Sequence, residues 1–407
     1  MGPQGGMSIL KRIIEPLREE PRLLPILVMI ACIMMGSGLV APVLSLYAQT
    51  FGVANTLVGA LVTIFGVGRL VANLPSGYLS QRIGRRPLLF GGPILIAVSS
   101  AAAAVTGDFN WLLFWRFLQG VGSGVYITAS IAALADVSPP KRRSANMALY
   151  QSSLQIGATM GPVVGGYAAY LFGYASSFWL YAGVSLLAAA TALFGFEDTL
   201  NKADARKPLP TAVRSTGLMT APFTGICIIS LTAFFTRTAA VFQLIPLIGH
   251  DQFQLGVDMI GLAVTITAFT ILLMVPLSAP LTDRFGARAM VLWSTLASGG
   301  ALWMLYASTS LLGFWLGVIF FGLAAGINYP AIGSFTISAL PRERYGPGMG
   351  MQRTFGDVGF VFGPVIIGAL ADLTGGGNLA GVAFNVAILF VASGFFWIVS
   401  RGMRRES

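Results

Sequence analysis

Four ionisable side chains stand deep inside long apolar stretches: Arg69, Arg116, Arg237 and Asp357. A charge at the centre of a membrane helix costs about 2.5–3.5 kcal/mol on insertion scales, so such a group usually pairs or lines a wet cavity. The chemistry open to this set is proton carriage by the one deep acid, Asp357, and electrostatic handling of protons or of an anionic solute by the arginines. No catalytic constellation accompanies them. The chain has one histidine, His250, and two cysteines, Cys32 and Cys227, both inside apolar runs. It has no phosphate-binding glycine loop, no Ser–His pairing and no metal-ligand cluster. Neither an enzyme nor an ATP-driven pump is expected, and no cofactor is implied.

Those positions acquire meaning once the stretches around them are read as bilayer crossings. Hydrophobic residues fill 55% of the 407 positions and charged residues only 10%, with a mean hydropathy of +0.78. A soluble domain carries about 25% charged residues. Apolar runs, each of the roughly 20 residues needed to cross a hydrocarbon core, fall near 24–47, 56–80, 87–106, 111–136, 145–170 and 176–196. Six more fall near 218–247, 257–281, 288–307, 311–338, 346–372 and 380–400. Lipid leaves no partner for open backbone groups, and no barrel-type alternation is present, so all twelve spans are predicted to be α-helices. The first run is too long for a signal peptide and lacks a small-residue cleavage site. Segments 1–23, 197–217 and 401–407 read as lead-in, linker and tail around bundles at 24–196 and 218–400.

A net charge of +10 invites a nucleic-acid reading, but its placement answers to topology. Arg82, Arg85 and Arg86 follow span 2; Lys141, Arg142 and Arg143 follow span 4; Lys202, Arg206, Lys207 and Arg214 follow span 6. Arg284 and Arg288 follow span 8, and Arg342 and Arg344 follow span 10. The alternate loops contain no Lys or Arg and hold only Asp108, His250 and Asp251. The basic loops, and with them both termini, are therefore expected in the cytoplasm of a multi-pass inner (plasma) membrane protein. Its surroundings are a lipid bilayer, not a nucleic acid.

A shift of 202 residues superposes landmark positions without a gap. Gly59 falls on Gly261, Arg82 on Arg284, Gly84 on Gly286, Gly120 and Gly124 on Gly322 and Gly326, Pro139 on Pro341, Gly161 and Pro162 on Gly363 and Pro364, and Gly166 on Gly368. Self-similarity at one offset points to two like-oriented halves of six spans, the plan of parallel-repeat transporters, with a solute site near the midplane between them.

Three motifs carry a family resemblance over most of the chain. The stretch from Gly77 to Arg86, with Gln81, Arg82, Gly84 and Arg85, is similar to the loop 2–3 signature of the major facilitator superfamily, G-x-L-a-D-R-x-G-R-[KR]. Leu113 to Gly120, with Arg116 and Gln119, resembles its span 4 signature. Gly157, Gly161, Pro162, Gly165 and Gly166 meet every fixed position of the span 5 signature g-x-x-x-G-P-x-x-G-G, which distinguishes proton-coupled antiporters and especially the twelve-span drug exporters. The resemblance implies a monomer that rocks one half on the other. It also implies that the family's loop acid, replaced by Gln81 in the first copy and kept as Asp283 with Arg284 and Gly286 in the second, latches the halves in the outward-open state. Span 1, a usual cavity liner, carries no carboxylate in this chain, unlike several drug exporters of the group.

The resemblance sets spans 2 and 11 face to face across the halves. Arg69 lies 11 residues before the expected end of span 2 near Ser80, and Asp357 lies 11 residues beyond the expected start of span 11 near Gly346. At 1.5 Å per residue both sit roughly 16 Å deep. An Arg69–Asp357 pair that forms in one conformation, parts in another and answers to protonation of Asp357 is one reading; a permanent structural pair is the other. Arg116 either faces the cavity as a charge relay or packs its helix through Gln119 or nearby carbonyls. The glycines of span 5 are either ordinary close packing or a bendable gate. Cavity candidates are Arg237, Asn73, Gln119, Tyr126, Gln151, Gln155, Gln243, Asn328 and Tyr329. The leading reading is a secondary transporter that exports a small, partly apolar organic molecule against protons, driven by the proton gradient. The alternative is a carrier for an anionic or neutral metabolite, favoured by three deep arginines against one deep acid.

Overall fold

A helix buried in lipid must close its backbone hydrogen bonds within itself, and that requirement shapes almost every element. The computed structural model describes residues 20–139, 143–198, 219–340, 345–375 and 377–401. Span 1 is Leu23–Val40 with a short continuation, Leu44–Gln49; spans 2 to 6 are Asn55–Ile83, Arg86–Val105, Phe109–Val137, Arg143–Phe172 and Ala175–Gly195. Span 7 is Ala221–Ala239, a π-helical turn Ala240–Leu244, and Ile245–Phe253. Spans 8 to 12 are Val257–Phe285, Ala287–Ala307, Leu311–Ser338, Tyr345–Leu373 and Leu379–Val399. No strand occurs among the described residues. Eleven of these helices are long and apolar enough to cross a membrane; the other long one, span 5, is diluted by Gln151, Gln155 and small residues.

Two spans depart from the expected single runs, each beside a proline. Pro42 interrupts span 1, where the Ala41 N–H turns back to the Gly38 carbonyl at 3.2 Å. Pro246 offers no N–H to the carbonyl four residues before it, that of Phe242, and the helix widens there into the π turn. A π turn inside a helix often marks a functional site. Here the Phe242 carbonyl accepts a hydrogen bond from Ser45 Oγ of span 1. Span 7 also runs on to Phe253, so His250 and Asp251 lie on a helix end rather than in a loop, with His250 Nδ1 3.0 Å from the Asp251 carboxylate.

Packing repeats with the sequence. In the first half span 1 packs on spans 5 and 6, span 2 on 4, and span 3 on 4 and 6; in the second half span 7 packs on 11 and 12, span 8 on 10, and span 9 on 10 and 12. The halves meet where span 2 packs on span 11 and span 5 on span 8. Gly84 and Gly286, equivalent under the repeat, both turn the chain at positive φ, +104° and +83°, a conformation that side chains with a Cβ resist. Lys141, Arg142, Lys202, Arg206, Lys207, Arg214, Pro341, Arg342 and Arg344, with most of segments 1–23, 197–217 and 401–407, lie outside the described residues.

Candidate functional site

Helix length decides how deep the central charges lie. Arg69 stands fourteen residues from either end of Asn55–Ile83, and Asp357 twelve residues from Tyr345, so both lie deeper than the shorter expected spans implied, about 21 and 18 Å from the basic ends at 1.5 Å per residue. The two meet across the seam, Arg69 Nη2 to Asp357 Oδ1 at 3.0 Å, with side chains 15% and 11% exposed. One turn back on span 11, Arg353 Nε reaches the same oxygen at 3.5 Å from an open position. The Arg69 guanidinium also lies over the Phe360 ring at 4.5 Å.

From this pair toward the side free of Lys and Arg, the halves are stitched together. Thr63 Oγ1 donates to the Val361 carbonyl at 2.5 Å. Gly59 lies against Pro364, and its repeat equivalent Gly261 lies against Pro162; Gly368 meets Asn55, and Gly166 meets Val257. Small residues at these four crossings let backbones touch. Outermost, the Asp372 carboxylate accepts the N–H of Asn55 at 2.9 Å and of Thr56 at 2.7 Å, together with the Thr56 hydroxyl at 2.5 Å. It thereby caps the first turn of span 2, where orphan donors and the helix dipole favour an anion. Toward the basic side the picture reverses. A Cβ at Gly350 would meet open space, and one at Gly77 would meet only Thr128 of its own half at 3.8 Å. Tyr78, Leu79 and Met349 are exposed there. Among the described residues, every side-chain hydrogen bond between the halves lies at or beyond the Arg69–Asp357 pair on the Lys/Arg-free side.

A second cluster lies on spans 7 and 10. The Arg237 guanidinium sits 5.0 Å from the centre of the Tyr329 ring, which packs edge-on against Phe234 at 5.0 Å. Arg353 covers the same Phe234 ring at 5.4 Å, so the aromatic pair links the two charge sites. A narrow recess within the second half is lined by Thr236, Arg237, Thr295, Ser298, Asn328 and Tyr329 among apolar neighbours. Asn328 donates to Ser294 and Thr295 at 2.9 Å each. Its Oδ1, Thr236 Oγ1 and the Tyr329 hydroxyl are buried without a protein partner.

Several expected cavity residues are instead packing residues. Arg116 is 3% exposed and is held inside the first half, donating to Gln119 Oε1 at 2.7 Å and to the Leu61 carbonyl at 3.3 Å. Gln119 continues that network to Ser100 at 3.1 Å, fully buried between spans 3 and 4. Tyr126 is fully buried in the same half. None of the three reaches the seam, because their helix faces are filled by neighbours of their own bundle. The span 5 stripe of Gly157, Gly161 and Gly165 likewise lies on span 1, against Ala31, Met35 and Leu39; of the motif, Pro162 and Gly166 touch the other half. Gly363 lies on span 7 against Phe235. Gln243 is buried in the π turn with Oε1 unpartnered. Gln151 is exposed, and Asn73 and Gln155 are half-buried. In the loop motif Arg85 pairs with Asp136 at 2.8 Å and its backbone N–H donates to Asp198 at 3.0 Å; Arg82 stacks on Tyr78. Gln81 and Asp283 are exposed, as is Arg284, which lies over Phe285.

Sequence reasoning missed Asp372, Thr63, Arg353 and Ser45. Asp372 reads as an ordinary helix-end acid, and no signal in the sequence points to its partners Asn55 and Thr56 at the start of the facing span. Comparisons with known proteins agree with this architecture. The sequence matches the Major Facilitator Superfamily over residues 26–258 and again over 226–406. It is 24% identical over 379 residues to multidrug resistance protein 2 of Bacillus subtilis, covering 91% of this chain and 90% of that one. It is 26% identical over 347 residues to the quinolone resistance protein NorA of Staphylococcus aureus, covering 84% and 87%. A bacterial homolog of the human lysosomal transporter Spinster, solved in an inward-facing and occupied conformation, superposes with a TM-score of 0.75 at 15% identity, covering 95% and 98%.

Proposed function

The chain belongs to the Major Facilitator Superfamily of secondary transporters, and from that premise we propose that it exports small, partly apolar organic molecules in exchange for protons. The two drug-resistance relatives support the solute class. The observation that carries the coupling is the Arg69–Asp357 pair, set at mid-depth on the seam that must part when the molecule changes sides. With the basic side in the cytoplasm of the plasma membrane, this arrangement is the inward-facing one: the outer seam is closed and the space between the halves is reached from within.

Residues 24–196 and 218–400 act as the two moving units, turning about the contacts of spans 2 with 11 and 5 with 8. Solute enters from the cytoplasm beside Asn73, Gln155 and Tyr329. As the outer seam opens, Arg69 leaves Asp357, and the carboxylate takes up a proton from outside. Re-forming the pair requires that the proton leave, and it does so inward. Charge on Asp357 thus exchanges one partner for another, which links proton entry to the conformational cycle. Proteoliposomes with an imposed pH gradient and a lumenal pH dye test the reading. Solute-dependent proton movement is expected, and its absence for every solute that the protein demonstrably moves removes antiport.

A further inference from the structure

We propose that the transported solute carries an acidic group, a carboxylate or comparable oxyanion, which docks on Arg237 while its organic body lies against Tyr329 and Phe234. This rests on the transporter reading above and narrows it to a substrate class.

The three deep arginines are not alike in their partners. Arg69 has Asp357, and Arg116 has Gln119 and the Leu61 carbonyl. Arg237 makes no hydrogen bond or ion pair with any described residue; its only assigned interaction is the ring of Tyr329. A guanidinium carries five N–H donors and stays charged. Half-buried in a membrane protein, it holds a cost that an incoming anion can offset. Two parallel N–H···O bonds to a planar oxyanion are the geometry a guanidinium favours.

The surroundings carry the same sign. Among the described residues at mid-depth, Arg69 and Arg353 share the one acid Asp357, and Arg237 adjoins them through the Tyr329–Phe234 ring pair. The other seam acid, Asp372, lies at the outer end and is taken up by Asn55 and Thr56. A cation entering this space meets uncompensated positive charge, whereas an anion meets its complement. The recess beside Arg237 adds acceptors without partners: Thr236 Oγ1 at 1% exposure and Asn328 Oδ1 at 3%, with the Tyr329 hydroxyl. Buried acceptors cost free energy until a donor reaches them, so a hydroxyl or N–H near the acidic group, or a water carried with it, completes the site. The rings of Tyr329 and Phe234, packed edge-on, offer the body of the ligand an aromatic wall.

The test uses the full-length protein in nanodiscs, titrated with three probes of matched shape: 2-naphthoate, 2-naphthamide and 2-naphthylmethylamine. The carboxylate is expected to bind at least ~10-fold more tightly than either analogue, a difference of about 1.4 kcal/mol or more. Arg237→Met is expected to erase that preference, Arg237→Lys to keep part of it, and Tyr329→Phe to weaken all three probes by only a few-fold. Should Arg237→Met fail to fold, Arg237→Lys must still lower carboxylate affinity while leaving amide affinity unchanged. The inference is overturned by an amine that binds as tightly as the carboxylate, by no carboxylate binding up to millimolar concentration, or by carboxylate affinity that Arg237→Met leaves intact. Any of those results alongside proton-linked export of a cationic or neutral dye sinks the acidic-solute inference and leaves antiport standing. Arg237-dependent carboxylate binding without proton movement upholds the inference and removes antiport.

Discussion

The Asp372 carboxylate accepts the backbone N–H of Thr56 at 2.7 Å, so the last turn of span 11 caps the first turn of span 2 across the seam between the halves. The cap exists only while the outer ends touch, and it contributes stability to that state alone. Replacing a helix cap by alanine costs about 0.5–2 kcal/mol. Asp372→Ala is therefore expected to move the resting population toward the outward-open state by several-fold or more. Spin labels at the exposed Thr50 and Thr374 report this as a longer outer distance, and an unchanged distribution excludes the latch.

Asp357 joins the seam to the proton. Asp357→Asn keeps the shape and a hydrogen-bonding group but removes the charge. Gradient-driven transport is expected to fall at least ~10-fold, because a group that cannot change charge cannot link the two gradients, while counterflow at equal pH persists. Full gradient-driven transport by this variant rules out the coupling role.

Arg69→Gln leaves Asp357 with Arg353 alone. Breaking a buried pair costs about 3–5 kcal/mol, of which Arg353 at 3.5 Å recovers a part. Thermal stability is expected to drop, and the exchanged pair Arg69→Asp with Asp357→Arg is expected to restore it more than it restores proton coupling. Equal recovery of both argues for a purely structural pair.

A side chain at the close crossings should block outer closure. A Cβ on Gly261 would lie 2.5 Å from the Pro162 carbonyl oxygen and 2.9 Å from the Gly166 Cα. Gly261→Val, and its repeat counterpart Gly59→Val, are expected to abolish transport while leaving each half folded. An impermeant thiol reagent added outside, acting on a single cysteine at Thr63 in a background free of Cys32 and Cys227, should then react faster. Slow, unchanged labelling contradicts the close-packing argument.

Arg116 offers a contrast with Arg69. Its partners belong to its own half, so Arg116→Met should leave the proton-to-solute ratio unchanged while costing about 1–3 kcal/mol of stability through the stranded Gln119. Thermal unfolding in detergent and the transport stoichiometry read the two effects separately, and altered stoichiometry would return Arg116 to the coupling machinery.

The sequence by itself determined the class, the number of spans and the duplication, but not where each helix ends or breaks, as spans 1 and 7 show. Lipid leaves the backbone only the helix, so hydropathy sufficed, and the offset of 202 residues already contained the seam: Gly59 with Pro364 and Gly261 with Pro162 are one contact made twice. Tertiary structure alone decided which way a polar side chain faces. In a membrane bundle the lipid face and the packed face are both apolar, so no pattern along span 4 reveals that Arg116, Gln119 and Tyr126 turn into their own bundle while Arg69 of span 2 turns to the seam. Nor can local spacing reveal a cap whose acid and donors stand 316 positions apart, as Asp372 and Thr56 do. Their partnership comes from where two helix ends arrive in space, and only the folded chain brings them together.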